Sequence, residues 1–169
     1  MPRWFPAEPV DLSFFSTAPH VYKYVVDLAV APERVWESLT SDASVSAWGP
    51  GVHAVRWSSP RPFGVGTERA VTLAAKAITV HERFFHWDEG KRYSFYAYEA
   101  NRPLFKHFAE DYIIDATPTG SRLTWSFALE ALPKTKLPVR LLSPVNNLMF
   151  GQMGDAAPTV GNSRVYWAA

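Results

Sequence analysis

Between residues 52 and 130 the sequence repeats one pattern, in which short segments of alternating apolar and polar residues are separated by turn-forming residues. Such alternation is typical of β-strands that bury one face. It predicts six strands, at about 52–57, 67–76, 78–87, 92–99, 104–115 and 121–130. Because the connections are short, we expect consecutive strands to be antiparallel neighbours in one sheet.

Helical patterns flank these strands on both sides. The β-branched and aromatic segment 21–30 predicts a first strand, and Pro32 then suits the first position of a short helix. A second short helix is expected to end near Trp48, and Ser143 with Pro144 predicts the start of a last helix. The order predicts an α+β fold, in which a last helix lies across the concave face of a curved antiparallel sheet of about seven strands.

Composition and charge exclude several classes of protein. The 169 residues contain 17 Lys and Arg against 16 Asp and Glu, without a basic run that would bind nucleic acid. The absence of cysteine excludes disulfides and thiolate catalysis. The apolar stretches are shorter than the ~18 residues of a membrane span, and the first residues do not have the charged and apolar regions typical of a signal peptide. We therefore expect a cytoplasmic protein that is not integral to the membrane.

The chain length predicts one domain with two appended segments. Residues 1–18, here called the N-terminal segment, are rich in Pro and aromatic residues and are expected to pack on the domain. The domain itself is predicted to span residues 19–158. Residues 159–169 are predicted to form an irregular tail that docks as a lid, exchanges with a neighbouring copy, or is disordered.

The segment 121–130 sets the phase of the sheet, because its large apolar residues occupy every second position. Folding the preceding strand back onto it places Tyr112 opposite Leu123 and Glu110 opposite Trp125. Extending this register predicts an inner face that mixes aromatic rings with polar groups: Glu82, Phe84, His86, Tyr93, Phe95, Ala97, Glu99, Glu110, Tyr112, Trp125 and Phe127.

That mixture favours a ligand-binding cavity, because a closed apolar core seldom contains several carboxyl groups and a histidine. Glu110 is the strongest candidate for chemistry, since burial would raise its pKa towards values useful for proton transfer, with Tyr112 or His86 as a partner. The alternative is a structural Glu110 that bonds to Tyr112 or to an arginine. His107 lies on the other face and is expected to be solvated.

The outer face of the sheet offers a second kind of surface. Tyr96 and Tyr98 are predicted to point outward, where either the N-terminal segment or a homodimer partner would cover them. A further alternative is that the protein is a partner-binding module that uses this face. In segment 78–87 the bulky Phe85 and Trp87 also allow the opposite phase, which would exchange the two faces there.

Two motif-like stretches carry no metal or cofactor site. His81 and His86 are five residues apart in a predicted strand, where they would point to opposite sides and could not share a metal. In GVGTER, Gly64 and Gly66 are followed by Arg69 where a dinucleotide fingerprint needs glycine, and a strand follows instead of a helix. We interpret GVGTER as a strand-entry turn.

The element order is accompanied by the stretches APERVWESLTS, GVGTERAVTL, HWDEGKRYSF, FAEDYIID and GSRLTWSF. Together, from about Val21 to Met153, these resemble the SRPBCC superfamily, which has the START and birch-pollen-allergen-like helix-grip fold, and within it the bacterial polyketide cyclase/dehydrase-like branch. The resemblance implies a hydrophobic cavity between the sheet and the last helix. It also implies that Trp48 lies at the narrow end of that cavity, unless it is an ordinary core residue.

The last helix would contribute Asn146 and Met149 to the cavity, although Met and Leu at helical spacing are more often core. Gly151 and Gly154 interrupt this helix, and each costs about 1 kcal/mol relative to Ala. The resulting prediction is a protein that binds a small hydrophobic or amphipathic molecule without metal or cofactor. The alternative is a cofactor-independent polyketide cyclase or dehydratase that uses Glu110, Tyr112 and His86.

Overall fold

The computed structural model of the chain describes residues 3–41, 52–73, 76–133 and 165–167, the last three by their backbone alone. Within them, the helices are α1 (Phe14–Thr17) and α2 (Pro32–Thr40). The strands are β1 (Phe5–Pro6), β2 (His20–Leu28), β3 (Val52–Trp57), β4 (Glu68–Leu73), β5 (Ile78–Asp88), β6 (Arg92–Ala100), β7 (Phe105–Thr117), β8 (Gly120–Ala131) and β9 (Val165–Trp167).

The strands form one antiparallel sheet in the order β3-β4-β5-β6-β7-β8-β2-β9, with β1 beside β6. The long strands β2 to β8 confirm the predicted curved sheet of about seven strands. The short strand β9 pairs with β2. The predicted second short helix and last helix lie outside the described residues.

Helix α2 forms where the sequence predicts it and packs on the sheet through one face. Pro32 occupies its first turn, where a missing N–H costs no helical hydrogen bond. Val35, Trp36 and Leu39 are buried, and the Trp36 ring lies 5.2 Å from the ring of Trp87. The helix therefore closes one end of the aromatic inner face.

The pairing of β7 with β6 and with β8 keeps the predicted inner residues of β7 and β8 inside, although one register differs. Phe95 lies opposite Glu110, as predicted. Between β7 and β8, however, Tyr112 pairs with Trp125 and not with Leu123. This difference of two residues leaves every side chain on its predicted face, because side chains alternate with a period of two.

Between β5 and β6, two β-bulges do change which residues face inward: one is at Phe85 in β5 and the other is at Tyr98 in β6. Each inserts one extra residue, so the residues beyond it exchange sides of the sheet. The predictions that His86 and Glu99 face inward were therefore wrong, and both lie on the convex face. His81 and His86 share that face, contrary to prediction, but their separation of five residues is ~16 Å along a strand.

Residues of the N-terminal segment contact the convex face. The Trp4 ring stacks on His81 with 4.3 Å between ring centroids, and β1 adds hydrogen bonds to β6. At the other end of the segment, Phe14 lies 5.4 Å from the His107 ring. The expectation that His107 is solvated was wrong, since its side chain is 15% exposed and also lies near Glu8.

Candidate functional site

Arg69 enters the inner face at the start of β4. The preceding Gly66 has φ 88°, a left-handed conformation that glycine adopts without steric cost, and its N–H donates to the carbonyl of Phe84 at 2.8 Å. This strand-entry turn, which confirms the interpretation of GVGTER, aligns β4 with β5 so that Arg69 pairs with Glu82. The Arg69 Nε donates to Glu82 Oε2 at 2.6 Å.

Aromatic rings surround the Arg69 guanidinium. Its central carbon lies 4.4 Å from the ring centroid of Phe95, 5.1 Å from Phe84 and 5.3 Å from Trp57. Burial alone would lower the pKa of Arg69, but the Glu82 carboxylate outweighs it and the pKa is raised. The residue, only 3% exposed, is thus a permanent cation inside an aromatic wall.

One donor of this guanidinium has no partner. Arg69 Nη1 is buried and, among the residues that the structure describes, no group accepts a hydrogen bond from it. Leaving a buried donor unsatisfied costs about 1–3 kcal/mol, and more for a charged group. Native proteins keep few such groups, and each calls for an explanation such as a bound water, an ion or a functional role.

Glu110 supplies a carboxyl group to the same face, from β7. The Tyr112 hydroxyl donates to Glu110 Oε2 at 2.7 Å, and Trp125 Nε1 donates to the same oxygen at 2.8 Å. Burial is the main cause that raises the pKa of Glu110 to about 7, and the negative charge of Glu82 adds to it. Glu110 nevertheless keeps some accessible surface, so its carboxyl group can exchange a proton near neutral pH.

Two tyrosines complete the polar part of the face. The rings of Tyr93 and Tyr112 lie 5.0 Å apart, and both residues are buried. Burial raises the pKa of each phenol above its usual value, and the charge of Glu110 adds to the effect. Both hydroxyls therefore stay protonated, and that of Tyr112 donates to Glu110.

A groove of about 370 Å³ opens beside Trp57 and is also lined by Val55, Arg61 and Phe63. Trp57 stacks on Phe63 with 4.1 Å between ring centroids and is one of the rings that surround Arg69. The volume is within the range of small-molecule sites. Trp57 thus joins the inner face to a groove that opens on the surface of the described residues.

The structure brings together most of the residues that the sequence predicted for the site. The inner face carries Glu82, Phe84, Tyr93, Phe95, Glu110, Tyr112, Trp125 and Phe127. His86 does not join them, because the bulge at Phe85 turns it to the convex face. Trp48, Asn146 and Met149 lie outside the described residues.

Sequence reasoning missed Arg69, which it treated only as a departure from a glycine motif. A signal was available, because Arg69 alternates with Thr67 and Val71, and all three are buried. The same alternation that set the phase of β8 would have placed Arg69 on the inner face. The inner position of Arg69 was not recognised, because a charged arginine is seldom buried without a partner.

The described residues contain neither a cluster of metal-binding side chains nor a membrane-spanning helix. No three His, Asp or Glu side chains there lie close enough together to hold a metal ion. No helix among them has the length and apolar character needed to cross a membrane.

Residues 19–155 match the model of the family described as "Polyketide cyclase / dehydrase and lipid transport". An uncharacterised protein of Mycobacterium tuberculosis is 36% identical over 144 residues, which are 85% of this chain and 86% of that protein. An uncharacterised protein of Mycobacterium bovis matches to the same extent. The chain therefore belongs to the polyketide cyclase/dehydrase and lipid transport family, and the resemblance to the SRPBCC superfamily is confirmed.

Solved structures show the same fold at low sequence identity. A START superfamily protein from Mycobacterium smegmatis has a TM-score of 0.62 and 11% identity, with 81% of this chain and 93% of that chain covered. A major latex-like protein from Panax ginseng has a TM-score of 0.63 and 14% identity, with 82% and 99% covered. At these identities the likeness shows the fold alone.

Proposed function

We propose that this protein binds a small hydrophobic or amphipathic molecule, such as a lipid, a polyketide or an aromatic metabolite, against the inner face of its sheet. The observation that carries the proposal is the buried Arg69 Nη1, which has no acceptor within the described part of the chain and is set in a wall of aromatic rings. A bound oxygen atom would satisfy that donor, and the rings would supply affinity through apolar contact. The family description, which names lipid transport, supports this reading.

The competing interpretation is an ordinary core with a buried ion pair. An ion pair between Arg69 and Glu82 is seldom more stable than apolar side chains of the same volume. A second carboxyl group, Glu110, stands on the same face, and its pKa is raised by its surroundings. Several polar groups that converge within an apolar wall are typical of a ligand site.

Native mass spectrometry of the protein purified from its own source tests the proposal. We expect a stoichiometric adduct that denaturation releases and organic extraction identifies. Tyr112→Phe removes an inner hydroxyl and should weaken retention of the adduct, whereas Tyr98→Phe removes an outer hydroxyl that bonds to Glu68 and should not. A protein that is empty from its own source and binds no small apolar probe would contradict the proposal.

A second candidate function is acid/base catalysis on a bound carbonyl compound, without cofactor or metal. The raised pKa of Glu110, to about 7, favours it, because a carboxyl group of that pKa can both take up and release a proton at neutral pH. Glu110→Gln should abolish turnover of a candidate substrate and retain its binding. Equal losses of turnover and of binding would exclude this role.

Three sequence predictions accompany the proposal. The domain is taken to span residues 19–158, and the protein is taken to be cytoplasmic. The third is the formation of a homodimer. Sedimentation of the purified protein measures the last of these directly.

A further inference from the structure

The inner face offers a hydrogen-bond donor without offering net positive charge. The positive charge of Arg69 is matched by Glu82, its partner at 2.6 Å. Their side chains are only 3% and 7% exposed, so solvent screens neither charge. Arg69 Nη1 nevertheless remains a donor without an acceptor among the described residues.

From this arrangement we propose that the ligand is uncharged and presents one carbonyl-type oxygen to Arg69 Nη1, and that the site discriminates against carboxylates. The inference rests on the proposed function and names the chemical class of its ligand. A neutral acceptor satisfies the donor and leaves the buried charges balanced. A carboxylate would add a third charge beside Glu82 and leave the site with a net negative charge.

The other acid on the face acts in the same direction. Glu110 on β7 lies opposite Phe95, which itself contacts the Arg69 guanidinium. When Glu110 is ionised, its charge adds to the repulsion of an anionic ligand. Tyr93 on β6, Tyr112 on β7 and Trp125 on β8 are neutral and leave the charge balance unchanged.

Three naphthalene probes of nearly equal shape test the inference: 2-acetylnaphthalene, 2-naphthoate and 2-isopropylnaphthalene. Their dissociation constants can be measured by calorimetry at pH 6 and pH 8. We expect the ketone to bind about tenfold or more tightly than the hydrocarbon, since a hydrogen bond to a charged group replaces an unsatisfied donor. The carboxylate should bind more weakly than the ketone, and the difference should grow from pH 6 to pH 8 as Glu110 ionises.

The chain offers a matched pair of variants. Arg69→Met/Glu82→Met removes the inner ion pair, and Glu68→Met/Arg83→Met removes the neighbouring outer pair between the same two strands. The inner double variant should lose the preference for the ketone and keep its affinity for the hydrocarbon. The outer double variant should keep the wild-type order of affinities.

The affinities of the wild-type protein for the three probes test the inference even if a variant fails to fold. Tighter binding of the carboxylate than of the ketone would overturn the inference and leave the proposed function intact. Equal binding of ketone and hydrocarbon would do the same. Failure of all three probes to bind would overturn both the inference and the proposed function.

Discussion

Two ion pairs stand side by side between β4 and β5 and point to opposite faces of the sheet. Arg69 bonds to Glu82 on the inner face, where their side chains are 3% and 7% exposed. Arg83 bonds to Glu68 on the convex face, where the side chains are 44% and 28% exposed. The two pairs are adjacent in register and use the same residue types, so that burial is the main difference between them.

That difference in burial changes how each pair is solvated and how fully its donors are satisfied. On the convex face, Glu68 accepts from Arg83 and also from the Tyr98 hydroxyl, and water reaches the pair. On the inner face, solvent barely reaches the pair, and among the described residues one nitrogen of Arg69 lacks an acceptor. The outer pair can be explained by solubility and sheet pairing, whereas the unsatisfied donor of the inner pair is the observation from which a ligand is proposed.

The largest expected effect comes from breaking the inner pair. Arg69→Met leaves Glu82 buried without its counter-ion and should lower the free energy of unfolding by about 3–5 kcal/mol. Arg83→Met, its outer counterpart, should lower it by no more than about 1 kcal/mol. Urea denaturation of both variants measures the contrast, and equal losses would show that burial does not distinguish the two pairs.

A double variant separates the cost of an orphaned charge from the value of the pair. Arg69→Met/Glu82→Met replaces both charges with apolar side chains of similar length and should recover most of the stability lost in Arg69→Met. Recovery would agree with a pair that is kept for ligand binding. A double variant as unstable as the single one would instead indicate that the pair stabilises the fold.

The next effect is the pH dependence contributed by Glu110. Its pKa is about 7 in the folded protein against an ordinary value of 4.5, so folding favours the protonated form. This stability is complete below pH 4.5 and is lost as the pH rises to about 7, a loss of about 3–4 kcal/mol at about 1.4 kcal/mol per pKa unit.

Glu110→Gln should therefore lack this loss, because the amide does not titrate. Denaturation curves of the wild type and the variant between pH 4 and pH 8 measure the difference. Glu68→Gln is the outer control and should retain the wild-type loss, since it retains Glu110. Parallel curves for the wild type and Glu110→Gln would show that Glu110 has an ordinary pKa.

The smallest effect concerns the aromatic cover of the convex face. Trp4→Ala removes the ring that stacks on His81 and should lower the free energy of unfolding by about 1 kcal/mol. Val65→Ala, at a residue that is 70% exposed, is a control that should change it by less than about 0.5 kcal/mol. A loss of several kcal/mol in Trp4→Ala would give the N-terminal segment a larger part in the fold.

Particular strands show how far the sequence predicts this fold. Residues 121–130 alternate cleanly, and β8 (Gly120–Ala131) forms there with Leu123 and Trp125 buried. The pairing of β7 with β8 was predicted two residues away from its actual register, because the turn that joins them is not determined by alternation. The faces were right, since an even shift preserves them.

The residues of the candidate site were also predicted only in part. Glu110 was predicted to be buried with Tyr112 as its neighbour, and the structure confirms that hydrogen bond. His86 was wrongly included, because a bulge adds one residue without changing the pattern of residue types. Arg69 was missed because its partner Glu82 is distant in sequence and is identified only once β4 and β5 are paired.

The sequence by itself determined the strands, their order of connection and most of the inner face, because the alternation of apolar and polar residues with a period of two can be recognised in each segment alone. Only the tertiary structure decided the bulges, the partner of Arg69 and the pKa of Glu110. Those properties depend on distances between strands and on the exclusion of water. The distances between strands and the exclusion of water are set when the sheet curves and its faces are covered, and no single segment of the sequence encodes them.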